Sequence, residues 1–231
     1  ALNDPTVDVI LCTRGGYGSV QLIDQLDFSK FIDNPKLIIG YSDITVFHEH
    51  VPKNFNVPTL HATAPLNFAE NSLESLSSLV NAIKGNTNRY EIEINELNIE
   101  GEVTAPVTGG NLAIIYSMLG TNSEADYEGK ILFIEEVGEA VYAIDRMFHA
   151  LKKAGKLDQI SGLIVGSLTN MKDSEVPYGC SVEEVIRKHT LPLNIPLCFN
   201  FPAGHILDNR AIIMGQKATL SVGANNVTFE Q

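Results

Sequence analysis

Ser42 is the residue whose type and position best suit a catalytic nucleophile. It lies in the segment GYSD at residues 40–43, between an apolar run and a helix-like segment. A serine in such a turn exposes its Oγ, and nearby backbone N–H groups point at the oxygen of a bound carbonyl group. The hydrolase motif has a glycine two residues after its serine, whereas this chain has Ile44. Serine is also a common helix N-cap, so that simpler role stays open for Ser42.

The segment RGGYG at residues 14–18 is a second candidate, because glycines after a strand let backbone N–H groups approach a ligand closely. It matches neither the dinucleotide motif GxGxxG nor the P-loop, which needs Gly-Lys-Ser/Thr. The strand at residues 37–40 ends without the acid that holds a ribose, which argues against a hydride-transfer enzyme. The segment could hold a phosphate, bind an oxyanion beside Ser42, or form a turn without a ligand.

Six histidines could supply the general base that a serine nucleophile needs. His205 is the best placed, because its loop directly follows the strand-like segment at residues 196–201, and such loops collect active-site groups. His48 and His50 flank a glutamate, but this is not the zinc motif HExxH, and no Cys/His cluster has metal-ligand spacing. The remaining histidines are His61, in a segment that follows a proline, and His149 and His189, which could simply be exposed helix positions.

Two adjacent acids, Glu135 and Glu136, end the apolar strand at residues 131–134. A carboxylate at the end of a buried strand must be paired or hydrogen-bonded. An imidazole N–H would satisfy it, and the pair would fix the tautomer of a catalytic base. A solvated strand end is the alternative reading of these two residues.

Apolar runs alternate with helical patterns along the chain, which is typical of an α/β fold. The first half is predicted to form a parallel sheet with strands at residues 8–13 and 37–40 and an amphipathic helix at 72–84, capped by Asn71 or Ser72. Polar and apolar residues alternate after Gly85, so a domain boundary is predicted near residue 86. Further predicted elements are strands at 131–134, 163–165 and 196–201, helices at 112–119, 141–154 and 181–189, and a hairpin at 217–229.

The composition is that of an acidic globular protein. The 231 residues are 44% hydrophobic and 19% charged, with a net charge of -12. Phosphate backbones repel such a chain, so nucleic acid is not expected as a partner. No apolar run reaches the length of a membrane span, and the first residues lack a signal-peptide pattern. The three cysteines, Cys12, Cys180 and Cys198, lack metal-ligand spacing and fit a reducing compartment, so a cytoplasmic protein is expected.

Seven short motifs follow one another along the chain. They are RGGYG at 14–18, GYSD at 40–43, TGGNL at 108–112, LFIEEVGE at 132–139, IDR at 144–146, GLIVG at 162–166 and GH at 204–205. Their order and spacing resemble the serine LD-carboxypeptidases, also called muramoyltetrapeptide carboxypeptidases, whose relatives include the microcin-immunity peptidases. The resemblance extends over essentially the whole chain.

The resemblance implies a Ser-His-Glu triad. In it Ser42 is the nucleophile, His205 is the general base, and Glu135 orients the histidine. Glu135 is preferred over Glu136 because it is the first acid after the apolar run in the family's pattern.

The resemblance also implies an oxyanion hole formed by the backbone N–H of Asp43 and that of Gly15 or Gly16. The implied fold has an N-terminal parallel-sheet nucleophile domain at residues 1–85 and a C-terminal mixed α/β, strand-rich domain at residues 86–231, which supplies the glutamate and the histidine. Family members carry several tens of residues before RGGYG, so the nucleophile domain is expected to be truncated at its start.

The implied reaction is hydrolysis of the amide before a C-terminal D-residue, with release of D-alanine from a murein tetrapeptide in peptidoglycan recycling. The resemblance implies no metal and no organic cofactor, and it implies a homodimer. One alternative is a microcin-immunity-type peptidase that cleaves a peptidyl-nucleotide amide, although the chain has no Trp to stack on a base. The other is a non-catalytic protein whose glycine segment binds a small ligand.

Overall fold

A computed structural model describes residues 1–231 and contains a four-stranded and a seven-stranded β-sheet. The smaller sheet consists of β1 (Val9–Leu11), β2 (Leu37–Gly40), β3 (Thr59–His61) and β9 (Ile212–Met214), in that spatial order. The first three strands are parallel, and β9 is antiparallel to β3. The sequence predicts β1, which lies inside a longer apolar run, and β2, but not β3 or β9.

Three helices accompany the smaller sheet: α1 (Ser19–Leu22), α2 (Thr45–Phe55) and α3 (Leu73–Ile83). The α3 helix begins as predicted, since the Oγ of its N-cap Ser72 accepts a hydrogen bond of 3.0 Å from the Ser75 N–H. The α2 helix follows β2 directly, so the turn between them lies at the carboxyl end of a parallel strand, where ligands bind in open α/β sheets.

The larger sheet is mixed, as expected for the second half. In spatial order its strands are β4 (Arg89–Ile92), β11 (Val227–Glu230), β10 (Lys217–Val222), β5 (Gly101–Asn111), β6 (Ile131–Val137), β7 (Gly162–Thr169) and β8 (Leu197–Cys198). β5 to β8 are parallel, and the other pairings are antiparallel. The strand predicted at 196–201 shortens to two residues, because Asn200 adopts φ 61 and interrupts the extended backbone.

Both faces of β6 are buried, which explains its continuous apolar run. Leu132 and Ile134 belong to the core under the helices α4 (Leu112–Met118), α5 (Val141–Lys153) and α6 (Val182–Thr190). Ile131 and Phe133 face a second core, which also contains Ile212 and Met214 of β9. The two sheets therefore pack through β9, and the domain boundary near residue 86 stays a prediction. No helix is both long and apolar enough to cross a bilayer.

Candidate active site

Ser42 adopts a backbone conformation that is rare for its type. It has φ 64, in the left-handed region, directly after β2. Left-handed backbone is unfavourable for a residue with a Cβ and often marks a functional turn. No side chain caps the short 3-10 turn at Ser42–Ile44 or the α2 helix after it, so Ser42 is not the helix cap that the sequence left open.

The structure brings Ser42, His205 and Glu135 into one hydrogen-bonded line. The Ser42 Oγ lies 3.2 Å from Nε2 of His205, and Nδ1 of the same ring lies 2.7 Å from Oε2 of Glu135. The Glu135 side chain is fully buried, whereas 21% of the His205 side chain is exposed. A neutral imidazole with its proton on Nδ1 can therefore donate to the carboxylate and accept the serine proton at Nε2.

A bulge separates the two acids at the end of β6. The register with β7 shifts between Ile134 and Glu136, so Glu135 points toward His205. The Glu136 carboxylate instead accepts hydrogen bonds from Asn111 Nδ2 at 2.9 Å and from the Ala113 N–H at 2.7 Å. Glu136 thus stabilises the start of α4, where an anion is favourable, and only Glu135 contacts the histidine.

Gly204 allows the loop of His205 to approach β6 and β7. Its φ is 118, and a Cβ at this position would overlap Ser167 Oγ and lie 2.9 Å from the Glu135 Cβ. Its N–H donates a 2.8 Å hydrogen bond to Oδ1 of the buried Asn209. The missing side chain at Gly204 is therefore what places His205 against Glu135.

The same loop is also attached to the start of α3. Asn71 Nδ2 donates to the Leu207 carbonyl at 2.7 Å, and Ser75 Oγ donates to the Asn209 carbonyl at 2.7 Å. The Ser72 Oγ donates to Asp208 at 2.9 Å. These bonds fix the loop of His205, which has no regular structure, to the start of α3.

The glycine segment at residues 14–18 lies directly against the nucleophile. A Cβ at Gly15 would lie 2.7 Å from the Ser42 Cβ and 3.0 Å from its Oγ. Gly15 and Gly16 lie outside every helix and strand, and their N–H groups donate to no backbone carbonyl. The segment can therefore offer N–H donors to an oxyanion formed at Ser42.

The buried side chain of Asp43 connects this segment to the nucleophile turn. Its Oδ2 accepts hydrogen bonds from the N–H of Ser19 at 2.9 Å and from the Ser19 Oγ at 2.8 Å. Ser19 is the first residue of α1, directly after the glycine segment. From the sequence, only the backbone N–H of Asp43 was a candidate group, and the positioning role of its carboxylate depends on the contact with Ser19.

The charge of Glu135 raises the pKa of two neighbouring side chains. Burial opposes protonation of His205, but the hydrogen bond to Glu135 and its negative charge outweigh it and raise the His205 pKa above its ordinary value. Burial and the same charge raise the pKa of Tyr41, whose ring centroid lies 5.1 Å from that of His205. The Tyr41 hydroxyl donates to Asn67 Oδ1 at 3.1 Å. Tyr41 therefore stays neutral and flanks the imidazole.

Two further histidines are buried near the site. His48 bonds to Thr59 Oγ1 and to the Gly40 carbonyl, and burial lowers its pKa to about 4. His61, at the end of β3, has no hydrogen-bond partner for either ring nitrogen, and burial lowers its pKa well below the ordinary value. The carboxyl end of a parallel strand is a signal for a site residue, but β3 was not predicted from the sequence, so His61 did not stand out there.

The remaining candidate histidines lie elsewhere. His50 contacts Ser123 Oγ at 2.7 Å. His189 is buried rather than exposed, and its Nε2 lies 2.8 Å from Oδ1 of Asp145. The helical pattern of α6 did not show this because the partner belongs to α5.

Sequence alignments with curated relatives cover nearly the whole chain. The probable murein peptide carboxypeptidase of Bacillus subtilis is 31% identical, with 98% of this chain and 73% of the relative covered. The murein tetrapeptide carboxypeptidase of Pseudomonas aeruginosa is 29% identical, with coverages of 95% and 74%. The microcin C7 self-immunity protein of Escherichia coli is 26% identical, with coverages of 99% and 75%.

A comparison with a solved structure and matches to two family models indicate the same family as these relatives. The crystal structure of muramoyltetrapeptide carboxypeptidase from Oxalobacter formigenes superposes with a TM-score of 0.90 at 26% identity, over 99% of this chain and 79% of that one. Residues 1–62 match the LD-carboxypeptidase N-terminal domain, and residues 104–220 match the LD-carboxypeptidase C-terminal domain. The order of motifs, the fold and these matches lead to one conclusion: the chain belongs to the LD-carboxypeptidase family.

Proposed function

We propose that this protein is a serine carboxypeptidase that removes the C-terminal D-residue of a murein peptide, with Ser42, His205 and Glu135 as its triad. The observation that carries the proposal is the hydrogen-bonded line from Ser42 Oγ through both nitrogens of His205 to Glu135. The left-handed backbone of Ser42 supports it, because a strained turn exposes a nucleophile.

In the first half of the reaction, Ser42 Oγ attacks the carbonyl carbon of the amide before the terminal D-residue, and its proton passes to Nε2 of His205. The carbonyl oxygen becomes an oxyanion. The C–N bond then breaks, and the imidazolium returns its proton to the leaving amine. Glu135 stabilises the imidazolium while this charge exists, and the peptide remains bound to Ser42 as an ester.

In the second half, water loses a proton to His205 and attacks the ester carbonyl. The bond to Ser42 Oγ breaks, and the proton moves from His205 back to the serine. The shortened peptide leaves with a new carboxylate. None of these steps requires a metal ion or an organic cofactor.

The backbone N–H of Asp43, with that of Gly15 or Gly16, forms the proposed oxyanion hole. The contact between Gly15 and Ser42 supports this assignment, because donors must lie close to the carbon that Ser42 attacks. The bond from Asp43 to Ser19 keeps the glycine segment in place before substrate binds, which is the condition for donors of this kind to accelerate the reaction.

The substrate class rests on the relatives. Two of them carry names that refer to murein peptides, and their identities to this chain are 31% and 29%. The microcin-immunity relative is 26% identical. A peptidyl-nucleotide substrate calls for an aromatic platform under its base, and this chain has no Trp.

The proposal is tested by measuring D-alanine release from a murein tetrapeptide. We expect the wild type to release D-alanine, Ser42→Ala to release none, and the peptide ending in L-alanine to remain intact. Cleavage of a peptidyl-adenylate with no cleavage of the tetrapeptide would instead favour the microcin-immunity activity. Binding of the tetrapeptide without cleavage by the wild type would favour a binding protein.

Location and assembly are part of the same proposal. The cysteines Cys12, Cys180 and Cys198 are all free, which supports a reducing compartment such as the cytoplasm. A homodimer follows from the family resemblance alone. Light scattering of the purified protein at several concentrations tests it, and a monomeric mass throughout would exclude the dimer.

A further inference from the structure

Three side chains that can bind a metal converge on the outer face of the larger sheet. Asp145 and His149 lie one turn apart on α5, and His189 lies on the neighbouring helix α6. One ligand atom from each residue lies within 4.8 Å of the other two. None of the three is in the hydrogen-bonded line of Ser42.

The distances within this cluster suit a small tetrahedral ion. His189 Nε2 lies 2.8 Å from Oδ1 of Asp145, and His149 Nε2 lies 3.6 Å from Oδ2. Ligands about 2.0–2.1 Å from a tetrahedral Zn²⁺ are separated from one another by about 3.3 Å. The two observed distances lie on either side of that value but involve different oxygens of Asp145, so binding of one ion requires rotation of the carboxylate and transfer of the His189 proton from Nε2 to Nδ1.

Neighbouring side chains already hold one of the ligands in place. The His189 ring packs on Phe148 with a centroid distance of 5.6 Å and an interplanar angle of 24°, and its side chain is 4% exposed. A surrounding apolar shell of this kind orients a metal ligand and limits its access to solvent.

We propose that Asp145, His149 and His189 form a Zn²⁺ site that links α5 to α6. Two imidazole nitrogens and one carboxylate oxygen are ligands that Zn²⁺ accepts readily, whereas Ca²⁺ and Mg²⁺ prefer oxygen alone. The fourth position faces solvent on the side of His149, whose side chain is 53% exposed, and takes a water molecule. The site stabilises the helix pair and lies apart from the proposed triad.

Spacing along the chain did not reveal this site. The only local pair is Asp145 with His149, and a single pair at i and i+4 is common on helix surfaces. His189 comes from a helix that starts nearly thirty residues after α5 ends. Only the packing of α6 on α5 brings the third ligand to the pair.

The test is Zn²⁺ binding to protein without a histidine tag, after removal of metal with a chelator. We expect one equivalent to bind in competition with a chromophoric chelator and to raise the melting temperature. The comparison uses His149→Ala, because that residue is largely exposed and its loss should not affect folding. We expect at least tenfold weaker binding and no rise in melting temperature. His50→Ala, which removes a histidine elsewhere, should bind Zn²⁺ like the wild type.

Two further measurements separate this site from the triad and from surface binding. In a His205→Ala background the single equivalent should persist, because the proposed site does not use the triad histidine. Co²⁺ should give the visible absorption of a tetrahedral complex. Undiminished binding by His149→Ala, loss of binding in the His205→Ala background, an octahedral Co²⁺ spectrum, or no binding at micromolar Zn²⁺ would each overturn the proposal.

Discussion

The Glu135 carboxylate lies 2.7 Å from Nδ1 of His205, and it is fully buried while the histidine ring reaches solvent. The second oxygen of Glu135 has no hydrogen-bond partner. A buried carboxylate whose partner is one imidazole stabilises the protonated ring and has no competing donor. This pair therefore determines the pH at which His205 can accept a proton.

The first prediction concerns Glu135→Gln. His205 must be neutral to act as a base, so kcat/KM of the wild type should fall as the pH drops through the raised His205 pKa. Glutamine removes the charge and lowers that pKa. The acid limb, which is the low-pH side of the profile of kcat/KM against pH, should therefore move to lower pH. We also expect kcat to fall by about 10⁴-fold, as when the orienting acid of a serine triad is replaced by its amide. The measurement is the pH profile of D-alanine release.

Glu136→Gln is the matched control for this prediction. Its carboxylate contacts Asn111 and Ala113 and acts on His205 only through its charge, without a hydrogen bond. Its loss should therefore reduce stability and move the low-pH side of the profile less than Glu135→Gln does. A limb that moves with Glu136→Gln but not with Glu135→Gln would contradict the assignment of the two acids.

The second prediction concerns the strained backbone of Ser42. A residue with a Cβ in left-handed backbone conformation destabilises the folded state by about 1–2 kcal/mol. Glycine removes this strain, but its greater freedom in the unfolded chain lowers the free energy of unfolding by about 0.4–1 kcal/mol. Ser42→Gly should therefore be about 1 kcal/mol more stable than Ser42→Ala, while both lose about 10⁶-fold in kcat. Denaturant unfolding of the two variants measures the difference. Equal stability, or a more stable alanine variant, would show that the turn is not strained.

The third prediction concerns Gly204→Ala. The added methyl group would overlap Ser167 and press on Glu135, so it should displace His205 and reduce kcat/KM by at least about 10²-fold. Gly179→Ala is the control, because Gly179 also has a positive φ, 91, but no atom lies within 4 Å of its Cβ position. Activity assays of both variants decide the point. Similar losses in both would assign the effect to backbone strain rather than to the displaced loop.

The fourth prediction concerns stability and a buried acid outside the site. Burial raises the pKa of Glu49 on α2 to about 8, and its Oε1 accepts a 3.0 Å hydrogen bond from the Tyr127 hydroxyl. Because the folded pKa exceeds the unfolded one, the stability from protonated Glu49 is complete below the unfolded pKa and is lost as the pH rises toward 8. The free energy of unfolding should therefore decrease between about pH 6 and pH 8.

Glu49→Gln should flatten this pH dependence, because glutamine does not ionise. Urea unfolding at several pH values gives the slope, which is compared with that of the exposed variant Glu128→Gln. The decisive quantity is the slope and not the absolute stability, since an amide at this buried position changes the hydrogen bonds as well. A slope unchanged by Glu49→Gln would assign the pH dependence to another group.

The elements with long patterns were predicted well from the sequence. α5 carries its apolar residues at helical spacing over 13 residues, and β6 carries a continuous apolar run, so each could be recognised locally. The predicted cap of α3 at Ser72 is also present. The strands β3 and β9 were missed, because it is their pairing with each other, and that of β3 with β2, that defines them.

By itself the sequence determined the residue types that could do the chemistry, their order along the chain and the resemblance to a family. Only the tertiary structure decided which groups meet. The bulge in β6 directs Glu135 toward His205 and Glu136 toward α4, and the packing of α6 on α5 brings His189 to Asp145. These contacts join segments far apart in the chain, and local propensities do not encode the distances between packed sheets and helices.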